Sequence, residues 1–264
     1  MHLYKLRVGA LALALCAPLA MVGTAGAAPR AHTSVTPTVL TNRRAQQILS
    51  QLRYLPLNFT AYGKKINNPY ASAAGAFTWR VRLPPATEAV WTVAVANPLE
   101  DAALYSFEEA KHLPLTTDLT TSLSKALVNA LVRSQYDDAA YQYVYVSTSA
   151  PETTYVYANN NLVYHTLANT GVSSAPTQLG TFYVYVRYLV TTMSGVYPGG
   201  GTYSDPGIPW VSYFNGGDAL HGFLRASYGW PQSLGCVEMP FANAHVVFER
   251  TAIGTPVTVA ARRP

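Results

Sequence analysis

The sequence predicts an α+β protein, with a small all-α module over residues 41–134 followed by a mainly β domain over 135–264. Three observations carry this. Apolar residues recur at helical spacing between Thr41 and Ser134. From Tyr136 onward Tyr, Val and Thr alternate with a period of two. Clusters of Asn, Gly, Pro and Ser break that alternation into short pieces.

The chain opens with Lys5 and Arg7, an uncharged apolar run from Val8 to Val22, and the small residues Ala25-Gly26-Ala27. This order matches a secretory signal peptide cleaved after Ala27. The run is shorter than the roughly 20 residues of a membrane span. Cleavage removes Cys16 and takes two positive charges from the formal +5 of the full chain. Residues 28–40, rich in Pro, Thr and Ser, read as a linker. Thr41 is placed to cap a helix whose buried face is Ala45, Ile48, Leu49 and Leu52, and Tyr54-Leu55-Pro56 ends it. Residues 60–98 read as loops with one short strand, WTVAV at 91–95. Two more helical faces follow, one with Ala103, Phe107 and Ala110, the other with Leu123, Leu127, Ala130 and Leu131.

In the second half, YQYVYVSTS, TTYVY, NLVYHTL and TFYVYVRYLV read as half-buried strands. A Gly-rich loop, YPGGGTYSDPGIPW, comes next. FANAHVVFERTA is expected to form a short helix and GTPVTVA a closing strand.

Charged residues are 12% of the chain, and Lys and Arg are scattered rather than clustered, which does not support a nucleic-acid footprint. A weak positive balance suits an exported protein working on an anionic cell wall. There is no HExxH, no CxxC and no phosphate-binding loop, so no cofactor, metal or nucleotide is implied.

After cleavage one cysteine remains, Cys236 in PQSLGCVEMP. A single cysteine is either a buried small hydrophobe or a reactive thiol. Thiolate chemistry needs a base, an orienting group for the base and donors for an oxyanion. Of the six histidines, His221 stands nearest upstream, in DALHGFLRASYGWPQSLGC. A strand ending at His221 and a tight turn carrying Cys236 would bring the two together. Spacing alone leaves both readings of Cys236 open.

The motifs resemble a known family. ALHGF followed by SLGCV is similar to the L,D-transpeptidase (YkuD-type) catalytic domain, in which a strand histidine precedes an [S/T]-H-G-C motif. YVYVSTS through LANTG resembles the family's opening hairpin, APTQLGTF its P-T-P-x-G-x-F segment, and GTPVTV its last strand, so the likeness covers roughly 140–260. It implies a β-sandwich with Cys236 as nucleophile and His221 as base. The Gly222 carbonyl would orient the imidazole. The N–H groups of Gly235 and Cys236 would hold the oxyanion, with Ser233 opening the motif. Tyr203 and Tyr213 match, more loosely, tyrosines lining the substrate groove. Two positions depart from the pattern. Leu234 replaces the histidine before Gly-Cys, and Glu238 replaces an Arg or Asn. A carboxylate at 238 is expected to repel substrate carboxylates or disfavour the thiolate.

RAQQILSQLRYLPL and the segment from Ala102 to Leu131 resemble, in degraded form, a three-helix peptidoglycan-binding domain, which implies either wall anchoring or a spacer. Together the likenesses imply an exported L,D-transpeptidase in the cell wall or periplasm. It would form 3→3 cross-links through a cysteine acyl-enzyme on tetrapeptide stems of peptidoglycan. The alternatives are an L,D-carboxypeptidase using the same site and a non-catalytic wall-binding protein. Sortases carry a T-L-x-T-C strand that is missing here, and papain-like hydrolases run Cys before His.

Overall fold

The computed structural model describes residues 37–63 and 67–264. The expected signal peptide and residues 28–36 of the linker lie outside them. The described residues form one compact unit built on two main cores.

The first core is helical. α1 (Asn42–Gln51) begins where Thr41 accepts a hydrogen bond from the Arg44 N–H. Its Ala45, Ile48, Leu49 and Leu52 are fully buried. α3 (Pro98–Ala110) is capped by Asn97, and α4 (Thr121–Val132) by Thr120. Both bury the faces expected of them, with Leu99, Phe107, Leu123 and Leu127 meeting Leu49 and Leu52. Burying each such side chain contributes about 1.5–3 kcal/mol.

Two expectations are corrected. Most of the Gly-rich stretch expected as a loop, residues 202–210, belongs to the strand Thr202–Asn215, where it pairs antiparallel with Val186–Val196. WTVAV is not a strand but a turn, with Ala94 at φ 65. Its polar backbone is captured by side chains. Gln46 Nε2 lies 3.0 Å from both Thr92 O and Val95 O, and Gln46 Oε1 accepts from Ala94 N–H at 2.8 Å. Asn97 Nδ2 reaches the same two carbonyls, so no ladder partner is needed. The strands of this region are β1 (Leu57–Ala61) and β2 (Gly75–Trp79), an antiparallel pair, and Pro85–Glu88 forms a short α2.

The second core lies between two sheets. One has strand order β5-β4-β3-β11-β6, from β3 (Gln142–Ser147), β4 (Thr153–Ala158), β5 (Asn161–Leu167), β6 (Gly180–Tyr183) and β11 (Pro256–Ala260). The other has order β10-β9-β8-β7, from β7 (Val186–Val196), β8 (Thr202–Asn215), β9 (Asp218–Gly222) and β10 (Val237–Met239). Val144, Val156, Val257 and Val259 of the first sheet share a core with Phe214, Leu220, Val237 and Met239 of the second, and with Ala244 and Val247 of α5 (Phe241–Glu249). The β-sandwich fold class is therefore present. Tyr143 of β3 reaches back into the helical core, and Thr87 of α2 is hydrogen-bonded to Thr258 of β11 at 2.7 Å.

Gln46 also lies 2.8 Å from Glu100 Oε2, and burial pushes Glu100 up to about 7, as it does Glu108. The folded chain thus holds protons that the unfolded chain, with carboxyls near their ordinary value, releases between about pH 4.5 and 7. Stability falls as pH rises through that window, so the thermal midpoint is expected to be lower at pH 8 than at pH 5. Gln46→Ala, which strips partners from a buried carboxyl and two carbonyls, is expected to cost about 2–4 kcal/mol in denaturant unfolding.

Candidate active site

The site is built on the pairing of β9 with β10. β9 runs antiparallel to β8, with Tyr213 opposite Ala219 and Ser212 opposite Leu220. β10 then adds to its other side in parallel, with Val237 opposite Leu220 and Glu238 opposite His221. Side chains alternate along a strand. Leu220 and Val237 therefore enter the sandwich core, while His221 and Glu238 face the other way. Cys236, one residue before Val237, falls on the His221 face by the same alternation. Cys236 and His221 both line a cavity of about 410 Å³, with Tyr203, Asp205, Asp218, Phe223, Arg225, Gln232, Leu234 and Glu238 also in its wall.

A parallel pair needs a crossover, and here it is the loop 223–236. The segment 168–172 braces it. Gln232 and Ser233 N–H both donate to Thr170 O, Val172 N–H donates to Ser233 O, and Gly229 N–H donates to Asn169 Oδ1. Thr170 is itself fixed by the buried Glu152, at 2.6 and 2.7 Å.

The turn before Cys236 is fastened on both sides. Ser233 Oγ donates to Cys236 O at 2.5 Å and accepts from Gly235 N–H at 3.2 Å. Thr177 Oγ1 accepts from Gly171 N–H and donates to Gly235 O at 2.7 Å. Gly235 has φ 118, and a Cβ there would come within 2.3 Å of Asp218 Oδ1. Only glycine meets both conditions. In this resting arrangement the Gly235 N–H is engaged by Ser233 and must leave it to serve an oxyanion.

His221 is 2% exposed. Its Nδ1 lies 3.0 Å from Gly222 O. A carbonyl only accepts, so Nδ1 carries the proton and Nε2 is the basic nitrogen. Burial lowers the His221 pKa, against smaller opposing effects of the Gly222 carbonyl and the Glu238 carboxylate. The Cys236 thiol is pushed up to about 12, first by burial and then by Asp218 and Glu238, with the Ala219 N–H acting the other way. Its Sγ contacts Gly217 O at 3.7 Å rather than His221. The pair therefore rests as neutral thiol and neutral imidazole.

Tyr203 lines the cavity, its ring packed on Gly195 and beside Tyr197. Tyr213 packs with Cys236 in a small cluster that also holds Ala219 and Val211. Leu234 lines the cavity where the resemblance has histidine. Glu238 does not stand free. Arg225 binds it through Nε at 2.7 Å and Nη2 at 2.8 Å, stacks over Phe223 at 4.6 Å and donates to Gln232 O at 3.2 Å. Arg225, Asp205, Asp218 and Thr177 were not singled out from the sequence. Arg225 was the findable one, as the only basic residue between His221 and Cys236. Among the described residues no group of three or more His, Cys, Asp or Glu is placed to hold a metal.

A thiol held so far above its ordinary value alkylates slowly. Iodoacetamide labelling of Cys236 at pH 8 is expected to be at least ~100-fold slower than that of a free cysteine, and still rising at pH 10. Asp218→Asn, which removes a neighbouring negative charge, is expected to speed it. Labelling by mass spectrometry across pH checks both.

Residues 141–259 match the family model YkuD, the L,D-transpeptidase catalytic domain. Among solved structures, an L,D-transpeptidase from Mycobacterium smegmatis aligns at 22% identity and TM-score 0.42, over 46% of this chain and 59% of that one. The catalytic domain of the E. faecium L,D-transpeptidase aligns at 23% identity and TM-score 0.42, over 47% of this chain and 100% of that one. This chain thus spans little more than half of the mycobacterial chain. No curated protein matches. The β-rich part of the chain, which carries Cys236 and His221, is a match to the L,D-transpeptidase catalytic-domain family.

Proposed function

We propose that the protein is an exported L,D-transpeptidase that joins peptidoglycan stems through an acyl-enzyme on Cys236. The observation that carries this is the meeting of Cys236 and His221 in one cavity, inside the stretch that matches the catalytic-domain family.

The neutral resting pair sets the order of events. Sγ leaves Gly217 O and attacks the carbonyl of the third stem residue as its proton passes to His221 Nε2. A C–S bond forms, and the imidazolium gives its proton to the departing amine of D-alanine as the C–N bond breaks. Glu238, opposite His221 in the ladder, favours that imidazolium, while its salt bridge to Arg225 keeps it from repelling a stem carboxylate. An amine of a neighbouring stem then takes the acyl group, giving a 3→3 link. Water in its place gives an L,D-carboxypeptidase. The contact of Sγ with Gly217 O rather than His221 favours a second reading, a non-catalytic wall-binding protein. The helical module would serve as wall anchor or spacer under either reading.

Mass spectrometry of the protein with a purified disaccharide-tetrapeptide, beside Cys236→Ala, separates these. Cross-linked dimers from the wild type alone are expected. Tripeptide alone would make the enzyme a carboxypeptidase, and no product would leave the wall-binding reading. His221→Ala is expected to lower turnover by about 10²–10⁴-fold. Incubation with a carbapenem is expected to add its mass to the wild type and not to Cys236→Ala. An unmodified wild type would contradict an activatable thiol.

A further inference from the structure

Glu152 immediately precedes β4 and does not line the cavity that holds Cys236. It is 1% exposed, and among the described residues it forms no ion pair. A buried carboxylate without a cation is costly unless hydrogen bonds replace its water. Here one residue supplies them. Oε2 accepts from the Thr170 N–H at 2.6 Å, and Oε1 accepts from the Thr170 hydroxyl at 2.7 Å. Burial raises the Glu152 pKa, and both Thr170 contacts oppose that rise. The main chain of Glu152 is tied to the same region. Its N–H donates to Gly229 O at 2.8 Å, and its carbonyl accepts from the Ala168 N–H at 3.0 Å.

Thr170 is the middle of a strap laid across both sides of the turn that carries Cys236. Asn169 and Glu238 exchange two main-chain hydrogen bonds, each of 2.9 Å. Thr170 O accepts from the Gln232 and Ser233 N–H groups at 2.8 and 3.0 Å. Gly171 reaches Gly235 O through the Thr177 hydroxyl. Ser233 Oγ then holds both the Gly235 N–H and the Cys236 carbonyl. A continuous path therefore runs from Glu152 to Thr170, from Thr170 O to the Ser233 N–H, and from Ser233 Oγ to the Gly235 N–H.

We propose that Glu152 is a positioning residue for acyl transfer: it holds the Thr170 strap so that the turn 233–236 presents its N–H groups to the oxyanion that forms when Cys236 attacks a carbonyl. The proposal rests on the transpeptidase reading and deepens it. Donors to an oxyanion act only when they are already in place, and small displacements weaken them. Loss of the strap therefore slows attack on a carbonyl. It does not slow a reaction of the same thiol that builds no oxyanion. Glutamine is the conservative replacement, since its amide oxygen accepts from the Thr170 N–H while its NH2 donates to the hydroxyl, a group that both gives and takes hydrogen bonds.

The test compares two reactions of Cys236 in the full chain. One is D-alanine release from the disaccharide-tetrapeptide. The other is alkylation by iodoacetamide, in which the S–C bond forms as iodide leaves and no oxyanion appears. Glu152→Ala is expected to lower kcat about 10–100-fold, with KM and the alkylation rate each within about threefold of wild type. Glu152→Gln is expected to keep kcat within about fivefold of wild type. Thr170→Val keeps the shape and removes only the hydroxyl, and its kcat is expected to fall between those two. It decides the matter if Glu152→Ala does not fold. A wild-type kcat in the deciding variant, a Glu152→Gln as slow as Glu152→Ala, or an alkylation rate that changes as much as kcat would overturn the positioning role while leaving the transpeptidase in place. Failure of the wild type to release D-alanine at all would overturn the transpeptidase reading and the positioning role with it.

Discussion

The parallel pairing of β9 with β10 is the constraint on which the site depends. Because Val237 lies opposite Leu220 and both are buried in the sandwich, His221, Glu238 and Cys236 are left with one face to occupy. A one-residue slip of β10 would turn Cys236 and Glu238 toward the core and Val237 toward the cavity. The register is thus fixed by apolar burial, and the chemistry inherits it. The same pairing forces the crossover loop, and the loop brings Arg225 to Glu238.

The price of this placement is desolvation. A thiol and an imidazole packed round by protein both favour their neutral forms, as the raised Cys236 and lowered His221 show. The site therefore does not store a thiolate. It offers an imidazole whose tautomer is set by Gly222 O and, opposite it in the ladder, a carboxylate that favours the imidazolium. A group that is neutral at rest is also protected from indiscriminate alkylation and oxidation.

Local patterns made much of the fold legible. The helical faces of α1, α3 and α4 and the Thr41 cap depend on neighbours a few residues apart, and the alternating Tyr and Val runs marked the strands. WTVAV misled because its carbonyls are taken by Gln46, a residue from another helix that no local pattern connects to it. In the site, the Cys and His motifs brought Cys236 and His221 forward. Arg225 stayed hidden because its role is defined by Glu238 across the crossover, and for the same reason Glu238 looked like an unpaired obstacle.

The resting charge state of His221 tests this account most directly, since everything above follows from a buried neutral pair. Nitrogen-15 chemical shifts of the His221 ring, recorded from pH 5.5 to 8, are predicted to report one neutral tautomer with the proton on Nδ1, unchanged in Cys236→Ala. An imidazolium signal at neutral pH that disappears in Cys236→Ala would show a preformed ion pair with the thiolate and contradict it.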